Sequence, residues 1–258
     1  MRRRQLLELA RSGALFGLGL AGTTWARQAV AQGAQQLRIQ YLGHMCFLFS
    51  GAGKRVLVNP FRALGCTQRY RVPAVSADLV LISSRLLDEG AIDVLPGNPQ
   101  ILFEPGAYNV QGLTVQGIRS PHDLREGRRF GDNVAWRWAQ AGITILHLGG
   151  AAAPLTLEQR ILTGSPDILF VPVGGGAKSY NAQQAAEAVK ALNPKIVVPT
   201  QYRAPNLAEG SCDLSSVDEF LSLMQGSTIR RGNGDSLTLT PGRLPDKGPV
   251  VQTFAYRF

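Results

Sequence analysis

The sequence lacks several features that would assign it to a familiar class of protein. Its 258 residues contain only three cysteines, and their spacing does not match a metal-binding knuckle. It has neither a Gly-x-Ser-x-Gly nucleophile elbow nor a Gly-x-x-x-x-Gly-Lys-Ser/Thr phosphate loop. No apolar run reaches the ~20 residues that a membrane-spanning helix needs. These absences argue against a cysteine-rich metal module, a serine hydrolase, a P-loop nucleotide site and a transmembrane protein.

Two further local features, a triple glycine and a pair of cysteines, give no functional assignment. The run Gly174-Gly175-Gly176 with Lys178 lacks the spacing of a phosphate loop, and a turn after a strand explains it better. Cys66 and Cys212 allow a disulfide in an oxidising compartment, but the sequence alone does not establish one.

The formal net charge of +9 is concentrated at the amino terminus. Residues 1–31 carry five arginines and one glutamate, a net charge of +4, which leaves +5 for the remaining chain. The basic run between Arg119 and Arg129 is interrupted by acidic residues and has no aromatic series on which bases would stack. The sequence therefore predicts no nucleic-acid partner.

The same amino-terminal residues have the order of an export signal. A basic cluster precedes an apolar run from Gly13 to Ala21, and Ala29-Val30-Ala31 is a small-residue cleavage pattern. Arg3-Arg4-Gln5-Leu6-Leu7 resembles a twin-arginine signal. We expect a signal peptide over residues 1–31 and one domain over 32–258. The resemblance implies a periplasm or a thylakoid lumen and no stable membrane span after cleavage.

The rest of the chain is rich in strands in its first half and alternates strands with helices in its second half. Helices are predicted at 156–163, 182–192 and 215–224. Strands are predicted at 37–49, 55–58, 77–83, 101–104, 113–119, 133–139, 143–148, 167–173, 196–199 and 236–240. Because no linker divides the chain, this order predicts a single layered α/β domain with helices outside packed sheets.

Several short strings of residues occur in the order of a known family. They are Tyr41-Leu42-Gly43-His44, Asn59-Pro60-Phe61, ADLVLIS at 77–83, His122-Asp123, HLGG at 147–150, DILFVPVGGG at 167–176 and NPKIVVPTQY at 193–202. Together they resemble the metallo-β-lactamase superfamily, in its zinc-dependent hydrolase branch similar to L-ascorbate-6-phosphate lactonase. The resemblance covers residues 36 to 240. It implies an α/β (α+β) fold, a four-layer αββα sandwich with metals in a cleft at one edge of the sheets.

The resemblance also implies seven metal-ligand positions, of which this sequence keeps two, Asp88 and His122. The other positions hold Ser84, Leu86, Glu89, Gly150 and Gln201. Glu89 offers a carboxylate where the family has a histidine, whereas Gly150 replaces the aspartate that bridges the two metals. A catalytic zinc ion needs about three protein ligands and an open position.

From this loss of ligands we expect a non-catalytic binding or scaffold protein that uses no cofactor. The expected partner is a small-molecule ligand or another protein. The expected binding cleft comprises His44, Asn59, Ser84, Asp88, Glu89, His122, Asp123, Gly150 and Gln201.

The alternative is a metal-dependent hydrolase of a lactone, a phosphoester or a related bond. It would hold one divalent metal, zinc or a hard cation, with Asp88, Glu89 and His122 as candidate ligands. In that case Asp88 or Glu89 would act as the general base and His122 as the acid.

Overall fold

The computed structural model describes residues 36–205, 207 and 210–258. The predicted export signal, residues 1–31, lies outside this range. Within the described range, none of the helices has the length and apolar character needed to cross a bilayer.

The first sheet has six strands, in the spatial order β13-β1-β2-β3-β4-β5. Its strands are β1 Leu37–Gly43, β2 Cys46–Gly51, β3 Lys54–Val58, β4 Leu79–Leu81, β5 Gln100–Leu102 and β13 Ser236–Leu239. β1, β2 and β3 are antiparallel neighbours, whereas β3, β4 and β5 run parallel. β1 alternates buried and less buried side chains, which is the pattern of a strand with one face on the core.

The second sheet has eight strands, in the order β12-β14-β11-β10-β9-β8-β7-β6. Its strands are β6 Gly106–Val110, β7 Leu113–Pro121, β8 Asp132–Gln140, β9 Ile143–His147, β10 Ile168–Pro172, β11 Ile196–Thr200, β12 Thr228–Arg231 and β14 Val250–Thr253. All five residues of β10 are buried, as are all five of β11, because both faces of these parallel strands are covered.

The described α-helices pack on the outer face of the second sheet. They are α1 Leu157–Thr163, α2 Ala182–Leu192 and α3 Val217–Leu223. The predicted capping box of α2 is present, because the Asn181 side chain accepts a hydrogen bond from the Gln184 amide and the Gln184 side chain accepts one from the Asn181 amide. Asn193 ends the helix in a left-handed conformation.

The main core lies between the two sheets and is rich in aromatic rings. Phe47 and Phe49 of the first sheet meet Phe170 of the second at centroid distances of 4.7 and 5.2 Å. Phe49 also meets Trp138 edge-on at 4.9 Å. A second core joins the outer face of the eight-stranded sheet to the helices. The prediction of an α/β sandwich is confirmed.

Two sequence-based expectations about elements need correction. The predicted strand 37–49 is two strands, because the chain turns at Gly43 and His44, both with positive φ. The prediction also missed β6, β12 and β14, three short strands at or near the sheet edge. Each is only four or five residues long, too short for its periodicity to stand out.

Candidate functional site

The candidate site lies where several strands end at one edge of the sandwich. Parallel strands present their carboxyl ends at the same edge, which is the usual place for a site in such sheets. Asp88 and Glu89 follow β4, His122 follows β7, Gly150 follows β9 and Gln201 follows β11. The fold therefore gathers residues that are up to 113 positions apart in the sequence.

The centre of the site is a chain of charged contacts. The ammonium group of Lys178, in the loop after β10, contacts the Asp88 carboxylate and lies 3.2 Å from Glu89 Oε1. The same Glu89 oxygen lies 3.3 Å from His122 Nε2. The side chains of Glu89 and His122 are fully buried, whereas those of Lys178 and Asp88 keep 20% and 16% of their surface. The network therefore runs from the interior to the surface.

The neighbours of Glu89 decide its charge. Burial by itself raises the pKa of this carboxyl group, but His122 and Lys178 outweigh burial and lower the pKa to about 2. Burial would lower the pKa of Lys178, yet the two adjacent carboxylates, Glu89 and Asp88, raise it. Glu89 is thus an anion and Lys178 a cation at neutral pH.

Gly150 allows Glu89 and His122 to come together. A Cβ atom on residue 150 would lie 2.3 Å from His122 Nε2 and 3.0 Å from Glu89 Oε2. The space that any larger side chain at this position would need is therefore filled by the imidazole and the carboxylate. The amide of Gly150 is fixed by a 2.8 Å hydrogen bond to Asn133 Oδ1.

The atoms packed against Gly150 include donors that are buried without a partner. In the described part of the chain, Glu89 Oε2 and His122 Nδ1 have no hydrogen bond, and His122 Nε2 has only its 3.3 Å contact with Glu89 Oε1. A buried polar atom without a partner costs about 1–3 kcal/mol, so such atoms point to a ligand. An imidazole nitrogen and a carboxylate oxygen are ligands that zinc accepts.

Glu89 and His122 together offer a divalent metal ion two protein ligands, one fewer than the three of a typical catalytic zinc site, and the centre does not hold enough ligands for two metals. Of the seven expected ligand positions, Ser84 and Leu86 supply neither histidine nor carboxylate, and Gly150 supplies no side chain. Among the described residues, the one compact group of three potential ligands is Cys66, Cys212 and Asp213. Its two sulfur atoms are joined in a disulfide, so that group is not a metal site.

A cavity of about 250 Å³ opens on the exposed end of the network. Its lining includes His44, Asp88, Lys178 and Gln201, together with the Cys66–Cys212 disulfide. The disulfide that the sequence left open is therefore present, and it ties two loops together at the cavity.

His44 and Gln201 are buried at the cavity wall in strained conformations. Their φ angles are 54° and 50°, in the left-handed region, and the Gln201 amide donates a 3.4 Å hydrogen bond to the His44 carbonyl. Neither His44 Nδ1 nor Gln201 Oε1 has a partner among the described residues. Burial is the main reason that the pKa of His44 falls to about 4, so its ring is neutral at pH 7. Strained residues with free polar atoms are typical of functional sites.

Three other predicted cleft residues have partners that give them structural roles. Asn59 is buried, and its Oδ1 accepts a 2.8 Å hydrogen bond from the Ser83 amide. The Ser84 hydroxyl accepts a bond from the Leu86 amide. Asp123 accepts hydrogen bonds from four backbone amides of the loop that follows it, and these bonds outweigh its desolvation to lower its pKa to about 2. That loop begins directly after His122 and therefore helps to fix it.

Lys178 is the site residue that the sequence analysis missed. The triple glycine before it was interpreted as a turn, which is correct, since Gly175 and Gly176 have φ angles of 73° and 74°. That turn places the Lys178 ammonium group in contact with Asp88, 90 residues earlier in the chain. The only signal was the charge itself, one lysine in a glycine-rich turn after a buried strand.

Comparison with known proteins agrees with this architecture. Residues 38–201 match the family model of the beta-lactamase superfamily domain. A UPF0173 metal-dependent hydrolase of Thermoplasma acidophilum is 24% identical over 200 residues, which cover 67% of this chain and 86% of that protein. A second UPF0173 metal-dependent hydrolase, from Pelotomaculum thermopropionicum, is 25% identical over 80% of this chain and 98% of its own length.

Solved structures show the same fold. A Thermotoga maritima protein assigned to the zinc-dependent hydrolases of the metallo-β-lactamase superfamily superposes with a TM-score of 0.69 at 29% identity, covering 84% of this chain and 98% of its own. An isothiocyanate hydrolase from Delia radicum gut bacteria has a TM-score of 0.60 at 15% identity, over 79% and 99% of the two chains. The second likeness is one of fold alone.

These findings overturn part of the sequence analysis. The expectation of a non-catalytic binding or scaffold protein without a cofactor is wrong, because the relatives are named metal-dependent hydrolases. The physical reason for the error is that we counted lost ligands one position at a time. The count did not include the rearrangement in which Glu89 and His122 fill the space beside Gly150 and keep free donor atoms.

Proposed function

Because the chain belongs to the β-lactamase superfamily, we propose that it is a hydrolase that uses one divalent metal ion to cleave a lactone, a phosphoester or a related bond. The observation that carries this proposal is that Glu89 and His122 keep buried ligand atoms without a hydrogen bond. These atoms lie at the inner end of the chain of charged contacts. The names of the relatives support the same reaction class.

The residues of the site divide the work between its inner and outer ends. Glu89 and His122 would hold the metal at the inner end of the site. A bound divalent ion would act there as a Lewis acid and would lower the pKa of a water molecule bound to it. Asp88 is partly exposed in the cavity and is placed to accept a proton from an attacking water molecule. Lys178 presents a positive charge to the cavity, where it attracts an anionic group of a substrate.

The test is hydrolysis of a panel of lactones and phosphodiesters with and without added Zn²⁺ or Mn²⁺. We expect metal-dependent turnover that Glu89→Gln lowers by about 100-fold or more, since even indirect partners of metal ligands contribute 10- to 100-fold. Glu126→Gln is the matched control, because this glutamate is 82% exposed and pairs only with Arg128 among the described residues. Turnover that is unaffected by chelation and by Glu89→Gln would contradict the proposal.

We also propose that the chain is exported by the twin-arginine route. The paired Arg3 and Arg4 ahead of an apolar run support this, and so does the Cys66–Cys212 disulfide, which suits an oxidising compartment. Expression in a twin-arginine-competent bacterium should give a periplasmic protein that begins near Gln32. Replacing both arginines by lysine should retain the protein in the cytoplasm, and an unchanged distribution would refute the route.

A further inference from the structure

A second cavity, of about 540 Å³, lies beside the carboxyl end of β1 and shares no lining residue with the cavity at Lys178. Its volume is in the range of small-molecule sites. Four segments of the chain meet around it: residues 41–42 in β1, 71–75 between β3 and β4, 233–235 before β13, and 255–257 after β14. The fold therefore builds this cavity from distant parts of the sequence, apart from the candidate site.

One part of the cavity lining is apolar. The side chain of Val72 is 40% exposed, whereas Leu42 and Val75 are partly buried and pack against the main core. Tyr41 and Tyr256 add two aromatic rings, which meet edge-on at a centroid distance of 6.0 Å. Apolar and aromatic side chains of this kind are the usual lining for the body of an organic ligand.

Two arginines in the lining have no acidic partner. Arg71 and Arg257 both line the cavity, and neither guanidinium group makes an ion pair or a hydrogen bond within the described ranges. The one acidic residue of the lining, Asp235, is already engaged. Its carboxylate accepts hydrogen bonds from Gln40 Nε2 at 3.1 Å and from the Ser236 hydroxyl at 2.8 Å. Both arginines are therefore available to an anion.

The backbone segments that carry the two arginines are fastened to each other. The Arg71 amide donates a 2.9 Å hydrogen bond to the Tyr256 hydroxyl, and Arg257 is the residue that follows Tyr256. The Tyr256 ring packs edge-on against the buried ring of Tyr70 at 4.8 Å, which holds this junction on the core. A guanidinium group offers a planar pair of donors that matches a carboxylate or a phosphate group.

We propose that this cavity binds a small amphiphilic anion, with its carboxylate or phosphate head at Arg71 and Arg257 and its aliphatic body against the apolar lining. The proposal goes beyond the hydrolytic function and does not rest on it, because the two cavities are lined by different residues. Tyr70 contacts both regions, since its ring centroid lies 6.4 Å from that of His44 and 4.8 Å from that of Tyr256.

The test is calorimetric titration of the full chain with octanoate, acetate and octanol. We expect one equivalent of octanoate to bind, and acetate, which has only the head, and octanol, which has only the body, to bind at least about tenfold more weakly. Arg71→Gln and Arg257→Gln should each weaken octanoate binding by about tenfold, because each removes a charge-assisted hydrogen bond. Arg243→Gln is the matched control, since this exposed arginine lies beyond the opposite end of β13, and it should leave the affinity unchanged.

Octyl phosphate distinguishes a phosphate head from a carboxylate, and binding of either one that depends on the two arginines supports the proposal. An affinity that both glutamine variants leave unchanged would place the anion elsewhere, for example at Lys178, and would overturn it. Acetate or octanol that binds as tightly as octanoate, or no binding of either amphiphile, would overturn it as well. Circular dichroism shows that each variant is folded, and Arg71→Lys, which loses the planar pair of donors, should also bind octanoate more weakly than the wild type.

Discussion

At the scale of single residues, Gly150 explains how the site is packed. The family resemblance implies an aspartate here, and a side chain at this position would occupy the volume now filled by His122 and Glu89. The close approach of His122 and Glu89 therefore requires that residue 150 carry no side chain. Glu89 can occupy the space beside residue 150 because Gly150 has no Cβ.

Gly150→Ala is predicted to destabilise the protein and to disturb both proposed metal ligands. The new methyl group would lie 2.3 Å from His122 Nε2 inside a fully buried cluster, and overpacking of this kind costs about 1–3 kcal/mol. Urea unfolding measures the loss. The matched control is Gly226→Ala, since nothing lies within 4 Å of a Cβ there, and its effect should stay within about 0.5 kcal/mol. Equal stability of the two variants would mean that His122 moves aside freely.

At the scale of elements, the sequence predicts the helices and strands that are marked by a short local pattern of residues. The helix α2 begins and ends at its predicted residues, because a capping box and an Asn-Pro stop mark its ends in the sequence. The fully apolar strand β10 is equally clear. The turn at Gly43 and His44 inside the first predicted strand was missed, because the histidine adopts a left-handed conformation that is uncommon for residues other than glycine.

The candidate site was only partly predictable for the same reason. Asp88, Glu89 and His122 were found because the resemblance marks their positions. Lys178 was not found, because its meaning depends on a carboxylate 90 residues away and on the turn that aims it there. Chemistry that is built by contacts between distant loops leaves little trace in local sequence patterns, and it needs the fold before it can be seen.

At the scale of the whole molecule, His147 joins the two sheets. Its Nδ1 accepts a 3.0 Å hydrogen bond from the Gly149 amide, so Nε2 carries the proton and donates to the Met45 carbonyl at 3.1 Å. Met45 lies in the turn between β1 and β2 of the first sheet, whereas His147 ends β9 of the second. The ring also stacks on Phe170 at 5.4 Å, inside the core.

This arrangement makes the stability of the sandwich depend on pH. Burial lowers the pKa of His147 from 6.5 to about 4, although the bond to Met45 opposes the shift. The unfolded chain therefore binds a proton at a higher pH than the folded one. The stability that the neutral ring contributes is present above pH 6.5 and is lost as the pH falls toward 4. The loss amounts to about 3 kcal/mol at most for this residue.

Urea unfolding between pH 7 and pH 4 measures this effect. We expect the free energy of unfolding of the wild type to fall across that window, and His147→Gln to show a shallower fall, because its amide keeps a donor and an acceptor but does not titrate.

His44, whose pKa is also lowered to about 4, adds a slope of the same sign. The pKa of Glu89 is also lowered, to about 2, so its contribution has the same sign, but it persists above pH 4.5 and is lost only below that value. A free energy of unfolding that is flat between pH 7 and pH 4 would show that His147 is not held neutral between the sheets, and an identical slope in His147→Gln would assign the effect to His44 instead.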